Sequence, residues 1–124
     1  MSEGSVWEAM NFCSHYELDN VIAIIDMNRL AQSEPTMFEH RTEQLGKRCE
    51  AFGFDTLIVD GHNIEEVTNA LLKGRDTRDK KPHAIIAKTF KGKGFKDIED
   101  KLGFHGKPLG DASAAVLKDL ETAV

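Results

Sequence analysis

"VIAIIDMNRLAQS", residues 21–33, is the stretch on which the fold turns. Its first five residues are apolar and mostly β-branched, the pattern of a short strand buried on both faces. The run ends in Asp26, and Asn28-Arg29-Leu30 follows at once. A buried strand therefore delivers an acid and an amide into a loop. In open parallel sheets ligands bind beyond the carboxyl ends of the strands, so those polar groups are either turn chemistry or part of a site.

Upstream, residues 4–16 place Val6, Ala9, Met10, Cys13 and Tyr16 on one helical stripe, with Ser2 positioned to cap it. Downstream, residues 28–35 form a polar loop. Thr36 and Glu39 have capping-box spacing, but the firmer helix spans about 41–52, with Leu45, Cys49 and Phe52 on one side and Gly53 as a left-handed cap. Residues 56–59 are a second strand and Asp60-Gly61-His62 a turn. Asn63 with Glu66 caps a helix that turns Ile64, Val67, Ala70 and Leu71 inward. A charged loop over 74–81 leads through Pro82 and His83 into a third strand, 84–87. A glycine-containing loop fills 89–110, and Asp111 or Ser113 starts a last helix that buries Val116, Leu117 and Leu120.

The order is α-β-α-β-α-β-loop-α. Alternating strands and helices imply an α/β fold, with parallel strands joined by right-handed crossovers and helices on both faces. Such a unit normally starts on a strand, whereas this chain opens in a helix, so the expectation is a sheet lacking its first strand. The 124 residues suit one domain, and a chain of this size buries enough surface for a core without staples.

Composition excludes several classes. A formal net charge of −5 argues against nucleic acid as the main partner. The longest apolar run, five residues, is too short to span a bilayer, and no signal peptide is visible. Cys13 and Cys49 lack metal-finger spacing and fall on predicted apolar helix faces, which suits buried free thiols and a cytoplasmic setting.

Local chemistry leaves alternatives open. Asn28 is a turn residue or a hard oxygen ligand suited to Mg²⁺. Lys91-Gly92-Lys93-Gly94 is a solvated loop or a phosphate holder, and it is not a P-loop. His105, in Phe104-His105-Gly106-Lys107-Pro108, is a backbone-bonded histidine or a group that polarises a substrate oxygen or shuttles a proton. His62 reads as a turn residue, and His15 and His40 as structural. Glu3 at the edge of the first helix favours the helix dipole.

Three long segments change that balance together. "SEGSVWEAMNFCSHYELDNVIAIIDMNRLAQS", "KRCEAFGFDTLIVDGHNIEEV" and "AIIAKTFKGKGFKDIEDKLGFHGKPL" resemble, in order and spacing, the thiamin-diphosphate-binding half of transketolase, closest to the animal-type enzymes. The resemblance covers nearly the whole chain and is weakest over 72–80 and the last helix. It implies one partial thiamin-diphosphate-binding (PP-type) domain over residues 1–124. Asn28 matches a metal-ligating Asn, and Leu30 the residue whose carbonyl completes that pair. Lys91 matches a lysine near the cofactor, and His105 a histidine reaching cofactor and substrate. Glu3 resembles a glutamate that crosses the subunit interface into the proton relay.

The implied activity is that of a transferase of the pentose phosphate pathway. It moves a two-carbon ketol unit between ketose and aldose phosphates, with thiamin diphosphate and Mg²⁺ (Ca²⁺ or Mn²⁺ can substitute). The implied partners are sugar phosphates and a second subunit, in a homo-oligomer or with a transketolase subunit. Departures are equally informative. The family sets Gly-Asp-Gly just before Ser-Glu-Gly-Ser, where this chain has only Met1. The metal carboxylate and the upstream sugar-binding histidines are therefore not among these residues, nor is the pyrimidine-binding half. Ala31 stands where Gly is common, and Phe104 where Trp is common. The expectation is a truncated relative that does not catalyse alone. Two other classes remain: an interaction module for a full-length relative, and a phosphate-binding α/β domain with its own chemistry.

Overall fold

A computed structural model describes residues 1–110 and 113–122. Along the chain these form α1 (Gly4–His15), β1 (Ile22–Met27), α2 (Thr42–Ala51), β2 (Asp55–Asp60), α3 (Ile64–Asp76), β3 (His83–Lys88) and α4 (Ser113–Thr122). This is the order expected from the pattern of apolar runs.

The three strands are parallel, in the order β1-β3-β2. The β1-to-β2 connection therefore passes over β3 in one direction, and the β2-to-β3 connection returns in the other. Crossovers of one hand that run in opposite directions land on opposite faces. So α2 packs on one face and α3 on the other. On the first face Met10, Leu45 and Cys49 meet Met27, Ala84 and Ile86. On the second, Ala70 meets Val59, Ile85 and Ala87. The central strand β3 is buried except at its last residue, which explains its unbroken apolar run. Cys49 is fully buried, and burial pushes its thiol above the ordinary value. Cys13 is free and half-buried.

Several local expectations are corrected. The buried stripe of α1 runs through Val6, Trp7, Met10, Cys13 and Ser14; Ala9 and Tyr16 are exposed. Trp7 turns this stripe, because its ring packs 5.1 Å from that of Phe52. Glu3, not Ser2, occupies the N-cap of α1, and its side chain makes no cap bond. Thr36 and Glu39 do pair, with the Glu39 N–H donating to Thr36 Oγ1 at 3.1 Å, but no helix follows there.

The α2 cap is as read: Gly53 has φ +87°, and a Cβ there would sit 2.1 Å from Ser14 Oγ. Ile64 is 76% exposed, because the buried stripe of α3 starts one turn later, at Val67, Ala70, Leu71 and Gly74. That helix also runs through Gly74 to Asp76, where a loop was expected. Glycine fits there because a Cβ would press within 3.0 Å of Ile22 Cδ1. Of the last helix, Asp111 lies outside the described residues. Leu117 and Leu120 are exposed and Val116 is half-buried. Val116 and Ala115 line a cleft against residues 94–98 and Leu109 rather than the sheet.

Candidate functional site

The register sets where the polar groups emerge. Asp26 pairs with Ala87, and Met27 and Asp60 both pair with Lys88, so the three strands end level. The loops after β1 and β3 then meet at that end of the sheet.

Asp26 explains the orientation of Asn28. One carboxylate oxygen accepts from Asn28 Nδ2 at 3.0 Å, and the other accepts from the Thr89 hydroxyl. A carboxylate is acceptor-only, so the amide nitrogen must face Asp26 and Oδ1 must face away. Oδ1 accepts the Leu30 N–H at 3.0 Å and keeps a second lone pair. Arg29, between the two, has φ +58°. This left-handed turn lets the Asn28 side chain fold back onto the Leu30 amide. The Leu30 carbonyl takes no part in the flanking bonds, Ala31 N–H to Glu34 O and Thr36 N–H to Arg29 O. Asn28 is half-buried and Leu30 buried. Asp26, Asn28, Thr36 and Phe38 line a cleft of about 110 Å³ at this strand end.

Across the cleft edge, Lys91 Nζ donates to the Ala31 carbonyl at 3.0 Å and lies 3.2 Å from His105 Nδ1. An ammonium only donates, so Nδ1 is the acceptor and the neutral ring carries its proton on Nε2. Asn28, Leu30, Lys91 and His105 are thereby brought together through three contacts. Glu3, exposed at the start of α1, takes part in none of them.

His40 and His62 hold the base of the same loop. His40 Nε2 lies 2.8 Å from the Thr89 carbonyl, and the Phe90 N–H donates to His62 Nε2 at 2.8 Å. Both rings also pack on Phe90, His40 edge-on and His62 stacked. Further out, Glu99 accepts from the Gly94 N–H and from Lys93, and these two bonds hold its carboxyl below the usual range. Arg29 Nε donates to Asp100 Oδ1 at 2.5 Å and a second guanidinium nitrogen to Oδ2 at 2.7 Å. This fork holds the Asp100 carboxyl below its ordinary value. Sequence reading singled out Asp26 but not its task of orienting Asn28, and it missed Arg29, Thr89 and Asp100. Arg29 sits visibly between two candidate ligands, but nothing in spacing joins it to a partner 71 positions away.

The donor set can be tested for Mg²⁺. Asn28 Oδ1 and the Leu30 carbonyl are hard neutral oxygens with lone pairs to spare, which fits that ion. Among the described residues no three His, Cys, Asp or Glu side chains converge as a metal group, and the nearby Asp26 is already engaged in orienting Asn28. The residues present thus fit part of an octahedral shell, leaving anionic ligands to phosphates or another carboxylate. No helix among the described residues is long and apolar enough to cross a membrane.

Comparisons with known proteins agree on one family. The model described as transketolase, thiamine diphosphate binding domain, matches residues 1–121. Human transketolase is 54% identical over 109 residues, which cover 88% of this chain and 17% of that protein. Transketolase-like protein 2 of Mus musculus is 48% identical over 124 residues, or 99% of this chain and 20% of that protein. The crystal structure of transketolase from Campylobacter jejuni superposes with a TM-score of 0.81 at 34% identity, covering 98% of this chain and 18% of that chain. The chain thus spans about a fifth of the length of the relatives it matches. With the fold, the match over residues 1–121 and the solved structure in agreement, this chain belongs to the transketolase family, in its thiamine diphosphate binding domain.

Proposed function

We propose that the loops after β1 and β3 form the metal–diphosphate end of a thiamin diphosphate site. The activity they serve is transfer of a two-carbon ketol unit between sugar phosphates, in a cytoplasmic setting. The observation that carries this reading is the locked Asn28 amide. Its Oδ1 and the Leu30 carbonyl stand as two oxygen donors beside the Lys91–His105 pair.

When bound, thiamin diphosphate supplies the carbon centre that accepts the two-carbon unit. Asn28 and Leu30 would hold Mg²⁺ through neutral oxygens, with Ca²⁺ or Mn²⁺ able to take its place. The Lys91 ammonium would neutralise phosphate charge. His105, with its proton on Nε2, would donate to a substrate oxygen as negative charge develops there. Glu3 would act from α1 in the proton relay across a subunit interface, so a homo-oligomer or a transketolase partner subunit would complete the site. Tested alone, the 124 residues are expected to transfer no ketol, because an incomplete shell holds the metal without a charged protein ligand.

Titration calorimetry with thiamin diphosphate, with and without Mg²⁺, tests the reading. Uptake should require Mg²⁺ and vanish in Asn28→Ala. Asp26→Ala, which frees the orienting contact, should weaken it by roughly tenfold or more. Uptake indifferent to Asn28 would overturn the assignment, and ketol transfer by the chain alone would overturn its inactivity. A second reading, association with a full transketolase subunit, is favoured by Ile24, which is 59% exposed on the edge strand β1. A heteromer in light scattering would support it.

A further inference from the structure

We infer that Arg29 and Asp100 are a positioning pair that fixes the loop carrying Lys91 and His105 against the turn carrying Asn28 and Leu30; this rests on the cofactor reading above. The bonds form a closed ring. Arg29 forks onto both Asp100 oxygens at 2.5 and 2.7 Å, and also donates to the Asp100 carbonyl at 3.2 Å. The Asp100 N–H donates to the Lys91 carbonyl at 2.9 Å. Lys91 Nζ donates to the Ala31 carbonyl at 3.0 Å, two residues from Arg29. The ring therefore runs through Asp100 and Lys91 and back to the metal-side turn.

The fork is more enclosed than an ordinary surface ion pair. Arg29 has φ +58°, a left-handed conformation that is costly for residues other than glycine, asparagine and aspartate. Glycine would suit that position, yet the sequence places there the side chain that forms the fork. Glu39 also lies 3.8 Å from the remaining guanidinium nitrogen. A planar fork matches a carboxylate in two bonds, which a lysine cannot reproduce. Both side chains are about 70% covered: Arg29 is 29% exposed and Asp100 28%.

The test uses four variants of the 124-residue chain: Arg29→Gly, Arg29→Lys, Asp100→Asn and the swap R29D/D100R. Glycine keeps the backbone turn and removes the whole side chain, while Arg29→Lys and Asp100→Asn keep most of the packing and break the fork. At a temperature where circular dichroism shows each variant fully folded, two quantities are read: amide hydrogen exchange at position 100, and thiamin diphosphate affinity with Mg²⁺. Arg29→Gly and Asp100→Asn should each speed exchange and weaken affinity about tenfold or more, with Arg29→Lys intermediate and the swap recovering part of both. A fork serving stability alone would leave the affinity of fully folded protein unchanged.

Unchanged exchange in Arg29→Gly and Asp100→Asn overturns the tie itself. Faster exchange with unchanged affinity overturns the positioning role. Wild-type chain that takes up no thiamin diphosphate, while exchange still responds to Asp100→Asn, overturns the cofactor reading and supports the loop tie.

Discussion

Asp26 and His83 show how far single residues could be read in advance. Asp26 ended an apolar run and invited a ligand role; the structure gives it the task of turning the Asn28 amide. That role depends on Thr89, 63 positions away, and no local spacing reveals it. His83 read as part of the lead into a strand, yet it is 2% exposed with both ring nitrogens unpartnered by hydrogen bonds. The Asp55 carboxylate lies 3.5 Å from Nδ1, but Lys73 also engages the same oxygen, at 3.3 Å. Buried polar atoms without partners are costly. His83→Leu should therefore stabilise the fold by on the order of 1 kcal/mol in urea denaturation; a loss of stability would show that the His83–Asp55 contact is favourable. Asp100 gives a pH prediction. Arg29 lowers its carboxyl in the folded protein. Its stabilising contribution is thus fully present above the unfolded value, about 3.9, and is lost as pH falls through the folded one. Urea midpoints from neutral pH to about pH 2 should show a shallower acid limb in Asp100→Asn, converging with wild type at the acid end.

At the scale of elements, legibility followed burial. β3 is covered on both faces and its apolar run left no alternative. α2 and its glycine cap were equally plain, because the stripe and the left-handed stop agree. The cap of α3 was legible in detail: Asn63 Oδ1 accepts from the N–H groups of Glu65 and Glu66, at 3.1 and 3.2 Å, and Glu66 returns to Asn63 Nδ2 and to the Asp60 N–H. Asn63→Ala should cost about 1 kcal/mol in urea denaturation, and a change near zero would mean that Glu66 holds the turn by itself. What escaped was part of the buried face of α1, the first turn of α3 and the partner of the last helix. Trp7 rotates the α1 stripe by packing on Phe52, a contact between distant segments. The last helix kept its helical pattern but met a loop instead of the sheet, leaving Leu117 and Leu120 exposed.

For the whole molecule, the proposed site draws on the ends of β1 and β3, and the register shows why those ends converge. The sheet is narrow. Among the described residues, the outer edges of β1 and β2 have no strand beside them, and Ile24 is exposed on β1. Open edges with apolar neighbours favour pairing between chains. Light scattering across a concentration series should show self-association that Ile24→Lys reduces, and a monodisperse monomer at every concentration would contradict this. The central claim concerns where the metal and diphosphate sit, and paramagnetic broadening reads that location directly. With Mn²⁺ and thiamin diphosphate added to ¹⁵N-labelled chain, the account predicts selective loss of amide signals at residues 28–31 and 91–93, removed by Asn28→Ala. Broadening confined to the charged segment around residues 78–81, or none at all, would contradict it.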